Sequence, residues 1–423
     1  MENIFNSVWK FISTRQALGL FIIVLLVLVM VLVVNVLIAL HIVRNEADIE
    51  GPAKEGTKKR GRSKNAPRFS MLLRIDEEQK EYKEPNYNDT LTLDQLCVQF
   101  RDYAASQKKL FYRIEDIRRF VAGLGVSKLM ILQGMSGTGK TSLASAMGDF
   151  LSNPSVVVPV QPMWKERSDL IGYFNEFTKR FNETNLLGKM YEAGYRKQMY
   201  ITILDEVNIS RIEYYFAEFL SLLELQEDSR YLDVVSDVWH NDPKHLEKGR
   251  IRVPANMWFI GTANNDDSTF AISDKVYDRA MVLNLEQKCD RFEAPDTPAV
   301  QLSYPHFLKL IEDAKAARAM SEASAEKVRK LDGYLIEHFH LSYGNRIMRQ
   351  MNEYVAIFMA CGGTEEDAID DILAKKVLRK LEAQNPTYVR NSVDGLMAFL
   401  DDLFGKKGMP QCRAYLLRLK QAT

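Results

Sequence analysis

Gly134-Met-Ser-Gly-Thr-Gly-Lys140-Thr141 lies between an apolar run, Lys128-Leu-Met-Ile-Leu-Gln133, and a helix-forming run that begins at Ser142. The G-x-x-x-x-G-K-T spacing between strand and helix is the pattern of a phosphate-binding loop. Its glycines let backbone N–H groups converge on phosphate oxygens, and the following helix N-terminus adds partial positive charge. Gly134, Met135, Ser136, Gly137, Thr138, Gly139, Lys140, Thr141 and Ser142 are the candidate nucleotide-binding residues. Lys140 is suited to bridge the β- and γ-phosphates, and Thr141 to offer its hydroxyl to Mg²⁺. A second apolar run, Tyr200-Ile-Thr-Ile-Leu, ends in Asp205-Glu206. Two adjacent acids are costly to place near a core, unless Asp205 serves the Mg²⁺ hydration shell and Glu206 polarises an attacking water. A third run, Met257–Thr262, leads to Asn264, whose amide at a strand tip would help orient that water. Arg279 follows a short helix from Ser273 and precedes a further strand, and Tyr343-Gly-Asn-Arg346 opens a helix in the last third of the chain.

Together these residues resemble the AAA+ ATPases, in the clade with an insert in the second helix that includes MoxR-like chaperones, dynein-type modules and McrB-like motors. Gly261-Thr-Ala-Asn264 is similar to the GTMN of McrB-like proteins, and Leu204-Asp-Glu-Val-Asn208 contains a match to their DEIN. The resemblance spans about residues 110–385. It implies an α/β fold, a P-loop parallel sheet followed by an all-α lid. Asn264 then resembles sensor 1, Arg279 an arginine finger acting on the neighbouring subunit, and Arg346 sensor 2 in the lid. Lys275 and Arg349 are the alternatives in a shifted alignment. The resemblance also implies ATP with Mg²⁺ and self-assembly into a hexameric ring. McrB-like motors prefer GTP, and no base-reading residue is identifiable in this chain.

The elements that must carry these groups follow from periodicity. Helices are predicted over about 92–107 and 114–124, the latter with Ile114, Ile117, Val121 and Leu124 at helical spacing. The ATPase core is expected at 128–290, after a helical segment at 70–127, with an insert at about 161–198 and a hairpin at about 228–256. Within the insert, Tyr173, Phe174 and Phe177 either face a partner through a central pore or pack between helices. Arg211–Glu224 reads as one amphipathic helix with Ile212, Phe216, Phe219, Leu220 and Leu223 inward. The lid is expected at 300–385, with further helices in a C-terminal region, 386–423, that has no functional reading.

Ahead of all this, a tail (1–17) precedes a segment, 18–43, whose residues Leu18–Leu40 include 19 Leu, Ile, Val or Phe out of 23. At helical rise it would cover about 34 Å, enough for a hydrocarbon core. Residues 44–69 form a basic neck, expected to be disordered, with Lys54, Lys58, Lys59, Arg60, Arg62, Lys64 and Arg68 against Glu55. The positive-inside rule then predicts a single-pass protein of the cell membrane with its ATPase domain cytoplasmic.

With 423 residues, 46% hydrophobic and 26% charged, the chain is neither disordered nor a simple coiled coil as a whole. Its 56 Lys and Arg balance 56 Asp and Glu, against the basic excess of a nucleic-acid coat. Four dispersed cysteines, without a C-x-x-C pair, suggest neither a disulfide framework nor a zinc ribbon. No second catalytic motif remains, so the work is expected to fall on a separate partner. An unidentified protein substrate is favoured; a nucleic-acid motor feeding a nuclease, or a nucleotide-gated scaffold, is the alternative.

Overall fold

The computed structural model describes residues 66–264, 269–286 and 288–422. The first helices, α1 (Met71–Glu78), α2 (Leu93–Lys108) and α3 (Ile114–Val126), lead into β1 (Leu129–Gly134) and α4 (Lys140–Phe150). Thr92 caps α2 through a capping box with Gln95. After β2 (Val156–Pro159) comes the insert: α5 (Arg167–Ile171), the antiparallel pair β3 (Gly172–Asn175) and β4 (Arg180–Glu183), and α6 (Asn185–Ala193). The core resumes with β5 (Tyr200–Asp205). The single helix predicted over 211–224 is broken into α7 (Ile212–Tyr215) and α8 (Ala217–Leu222). The break falls at Phe216, where ψ is 5°, and both pieces still turn Ile212, Phe216, Phe219 and Leu220 inward. The hairpin of β6 (Tyr231–Asp233) and β7 (Arg250–Arg252) precedes β8 (Met257–Asn264), α9 (Asp274–Tyr277) and β9 (Met281–Asn284).

β1, β2, β5, β8 and β9 form one parallel sheet in the order β2-β5-β8-β1-β9. Both faces are covered, which is why its central strands read as continuous apolar runs. Met130 and Leu132 of β1 face α2, α3 and α4, whereas Leu129 and Ile131 face the insert side. Parallel pairing brings the carboxyl ends of β1, β5 and β8 to one edge, where Gly134, Asp205 and Asn264 sit.

From residue 304 every element is helical: α10 (Tyr304–Ala317), α11 (Glu322–Phe339), α12 (Asn345–Ala360), α13 (Glu365–Ile372), a π turn with a 3₁₀ turn through Ala383, α14 (Pro386–Phe404) and α15 (Pro410–Ala422). The last two helices pack into this bundle. Buried Asp370 at the end of α13 accepts from the first amides of α15, Gln411 N at 2.7 Å and Cys412 N at 2.8 Å, and Tyr334 of α11 stacks on Phe399 of α14 at 4.3 Å. The bundle is tied to the core through Asp371, which accepts from Tyr354 at 2.7 Å and pairs with Lys375 and with Arg119 of α3. Burial opposes the Asp371 carboxylate, but Lys375 and Arg119 outweigh it and hold its pKa below the usual range.

Two expectations need correction. The single-pass placement in the cell membrane is not upheld: among the described residues no helix is long and apolar enough to cross a membrane. The longest, α14, carries Arg390, Asp394, Asp401 and Asp402. The expected span at 18–43, and the neck as far as residue 65, lie outside the described residues. Arg68, counted in the neck, is instead buried, 2% exposed. It donates to Asp242 Oδ1 and Oδ2 at 2.8 and 2.7 Å and to Asp237 Oδ1 at 2.8 Å, beneath the Trp239 ring.

Candidate nucleotide site

The loop between β1 and α4 is shaped by glycines with positive φ. Gly137 adopts +77° with open space where a Cβ would point, and Gly139, the residue before α4, adopts +89°. Tyr112 closes the turn from outside by donating its hydroxyl to Gly139 O at 2.9 Å. Lys140 is buried, and its Nζ donates to Gly134 O at 2.9 Å and Met135 O at 2.8 Å. The remaining loop residues, Ser136, Thr138 and the first helical hydroxyls Thr141 and Ser142, follow in the same turn.

Thr141 and Asp205 meet. The Thr141 hydroxyl donates to Asp205 Oδ1 at 2.8 Å, and the same oxygen accepts from Thr262 Oγ1 at 2.7 Å. Thr262 Oγ1 in turn accepts from Glu206 N at 2.9 Å. Glu206 adopts φ +56°, an uncommon conformation for a residue with a side chain, and Asn264 Nδ2 reaches its Oε1 at 3.5 Å. Asn208 fixes the Asn264 backbone by donating to its carbonyl at 2.8 Å and to Thr269 at 2.9 Å. Five of the predicted residues, Lys140, Thr141, Asp205, Glu206 and Asn264, thus converge at one edge of the sheet.

A hydroxyl and a carboxylate side by side are a hard-oxygen donor set of the kind that binds Mg²⁺ alongside phosphate oxygens and waters. An open glycine cradle beside them fits a triphosphate. The residues present therefore fit both groups.

Residues 129–280 match the family described as AAA domain (dynein-related subfamily). Over those residues the chain is similar to AAA-type ATPase domains. Residues 298–422 match a second family, described only as a domain of unknown function (DUF8727). Its bounds run across the expected division between lid and C-terminal region, in accord with the packing of α14 and α15 on α11 and α13. No curated protein matches the chain. Among solved structures, a "putative ATPase" from Cytophaga hutchinsonii is 14% identical, covering 78% of this chain and 98% of its own, with a TM-score of 0.48. A full-length MCM homolog from Methanopyrus kandleri is 11% identical, covering 69% of this chain and 61% of its own, at 0.36.

Arg279 and Arg346 are not with the other five. Arg279 lies two residues ahead of β9, and its carbonyl accepts from Ser127 Oγ at 2.8 Å, ahead of β1. From Ser127 to Gly134 the chain rises about 20 Å along the strand. Arg279 therefore belongs to the amino ends of the AAA-domain strands, opposite its own phosphate loop. Arg346, at the start of α12, meets it there. Both pair with Glu224, Arg279 Nε at 3.4 Å and Arg346 Nη2 at 2.9 Å. A cavity of about 520 Å³ surrounds them, bordered by Lys128, Arg230 and Arg349. In this cavity Lys128 Nζ stands 3.5 Å from the centre of the Trp258 ring, and burial lowers its pKa to about 7. The alternatives Lys275 and Arg349 are both exposed, and only Arg349 borders the same cavity.

Thr262, Asn208, Tyr112 and Glu224 had no assigned role in the sequence. Thr262 stands inside the Gly261–Asn264 motif, so the signal was present as a hydroxyl on an otherwise apolar strand. Tyr112 and Glu224 gave none, because their partners are a backbone carbonyl and residues 55 or more positions away.

Proposed function

We propose that the chain is an ATP-hydrolysing motor that works as a ring of identical subunits and remodels a protein partner. Lys140 holds the β- and γ-phosphates, and the loop amides of residues 134–142 hold the rest of the triphosphate. Thr141 and Asp205 would hold Mg²⁺, which when bound draws charge from the β- and γ-phosphate oxygens. Glu206 accepts the proton of a water as its oxygen attacks the γ-phosphorus, and Asn264 orients that water through its amide. The bond to the β,γ-bridging oxygen breaks, and ADP and phosphate leave.

The observation that carries the assembly is the separation of Arg279 and Arg346 from Lys140 by the length of the sheet. A chain built this way carries Arg279 and Arg346 at the edge opposite its own phosphate loop. Apposition of the two edges in a ring completes a site, with Arg279 and Arg346 supplied in trans. Contact with a protein partner is supported by the insert hairpin. Phe177 at its turn is 98% exposed and Tyr173 is also exposed, whereas Phe174 packs edge-on against Trp239.

Mixing tests the reading. Glu206→Gln chains keep their arginines, and Arg279→Ala chains keep their acid. Each preparation alone is expected to be inactive, and mixed rings to regain part of the parent turnover at interfaces pairing the two intact groups. Absence of rescue in rings shown by native mass spectrometry to be mixed would overturn the trans assignment.

A further inference from the structure

Two guanidinium groups at one edge of a subunit repel each other, and side chains half in water are free to swing apart. Arg279 and Arg346 do not. Arg346 Nη2 contacts Glu224 Oε1 at 2.9 Å and Oε2 at 3.0 Å, while Arg279 Nε reaches Oε1 at 3.4 Å. One carboxylate thus joins an arginine from the loop before β9 to an arginine from the bundle. The backbone around Arg279 is held from the same side. Gln350, one turn after Arg346 on α12, donates to Asp278 O at 3.4 Å, and Lys376 donates to that carbonyl at 3.3 Å and to Gln350 Oε1 at 2.6 Å. Gln350 and Lys376 fix where Arg279 starts; among the described residues Glu224 alone joins the two charged tips.

We propose that Glu224 is a positioning residue for hydrolysis at the neighbouring subunit's site, holding Arg279 and Arg346 at the separation at which both reach one triphosphate. The proposal rests on the reading of these arginines as acting in trans. A carboxylate with two oxygens shared between two guanidiniums imitates the bidentate geometry that a phosphate offers. Its single charge is smaller than that of a γ-phosphate, so the arginines transfer from Glu224 to the nucleotide when the edges meet. Pre-organised donors need no rearrangement at the moment of reaction, which is how fixed charges contribute most to rate. Glu224 lies with the arginines, away from its own chain's phosphate loop, and acts only through them.

The test is a double-mutant comparison on the full chain. Steady-state ATP turnover and the affinity for a fluorescent ATP analogue are measured for Glu224→Ala in the parent and in the Arg279→Ala/Arg346→Ala background. In the parent, kcat is expected to fall about tenfold or more, the scale of a lost charge-assisted hydrogen bond, with nucleotide affinity unchanged. Glu224→Asp, which keeps the charge, should recover part of the loss. In the background without arginines, Glu224→Ala should change nothing further. Unchanged or raised kcat in the parent overturns the proposal, as does an equal loss in both backgrounds, which would mark a merely structural contact. If Glu224→Ala folds poorly, Glu224→Gln, of nearly identical shape, carries the same comparison. Parent-like turnover in Arg279→Ala would instead sink the trans reading itself, and a loss in Arg279→Ala without one in Glu224→Ala would sink only the role of Glu224.

Discussion

Thr262 ties Asp205 to Glu206. Its hydroxyl gives its proton to Asp205 Oδ1 at 2.7 Å and accepts the Glu206 amide at 2.9 Å. Both acids at the tip of β5 are thereby referenced to one side chain of β8, the strand that also presents Asn264. A hydroxyl is needed for this because one atom must both donate and accept. Thr262→Val keeps the shape and removes both bonds. It is expected to lower kcat about tenfold or more while changing nucleotide affinity little, and a KM-against-kcat comparison checks it. A loss confined to KM would contradict this role.

Binding and chemistry separate at Lys140 and Glu206. Lys140→Ala removes a compact charge from the loop and should abolish retention of a fluorescent ATP analogue. Glu206→Gln changes only the proton acceptor, so binding should persist while turnover falls about 10²-fold or more. Parent-like turnover in Glu206→Gln would show that another group takes the proton.

Arg279 and Arg346 are expected to behave alike, because they meet on Glu224 and lie across the sheet from Lys140. Arg279→Ala should retain nucleotide affinity and lose about 10³-fold in turnover, the scale of arginine fingers. Arg346→Ala should lose turnover with unchanged affinity too. A large loss of affinity in Arg346→Ala would mean that it serves the nucleotide of its own chain.

The order of the elements was legible where apolar runs end in charged or glycine-rich residues. β1 into Gly134, β5 into Asp205 and β8 into Asn264 are such junctions, because a buried parallel strand must be apolar until it leaves the core. Less legible were features whose cause lies far along the chain. In place of the continuous helix expected through Phe216, ψ there is 5°, and Phe216 and Phe219 both pack against Phe259, about 40 positions away. Arg68 looked like one more basic neck residue, because Asp237 and Asp242 lie about 170 positions away. The C-terminal helices had no motif; their links to the bundle are Asp370, which accepts two amides of α15, and Tyr334, which stacks on Phe399 of α14. Composition could not have shown that Arg346 faces the amino ends of the strands, since that depends on how α12 docks beneath the sheet.

Lys376 makes stability depend on pH. It is buried, and desolvation, opposed by Asp278 and reinforced by Arg346, Arg379 and Lys380, lowers its pKa to about 7. Unfolding restores the ordinary value near 10.4. Between these limits the unfolded chain binds a proton that the folded chain does not, so this residue makes stability rise with pH from about 7 to 10. Below 7 both states are protonated, and the folded state carries the full cost of the buried charge. Lys376→Met should flatten that rise, as measured by urea unfolding at pH 7 and pH 9.5. An unchanged difference between the two pH values would place the ammonium in contact with water.

Arg68 offers the strongest test of how the chain enters the domain. Its guanidinium is bound by two aspartates of the loop between β6 and β7 and stacks 4.7 Å from the centre of the Trp239 ring. Its carbonyl accepts from Phe181 N at 2.8 Å, and just beyond it Glu183 accepts from Ser70 N, Met71 N and Leu72 N at 2.7 to 2.9 Å. One short segment therefore fastens both hairpins. Arg68→Ala leaves Asp242, almost wholly buried, without its counter-charge, and removal of one partner from such a pair costs about 3 kcal/mol or more. Arg68→Lys should recover little, because an ammonium cannot grip Asp242 in parallel and reach Asp237 as well. Asp242→Asn in the Arg68→Ala chain should restore part of the stability by removing the stranded charge. Urea unfolding of the single and double variants measures this, and a double variant no more stable than Arg68→Ala would assign the loss to stacking on Trp239 rather than to the ion pair.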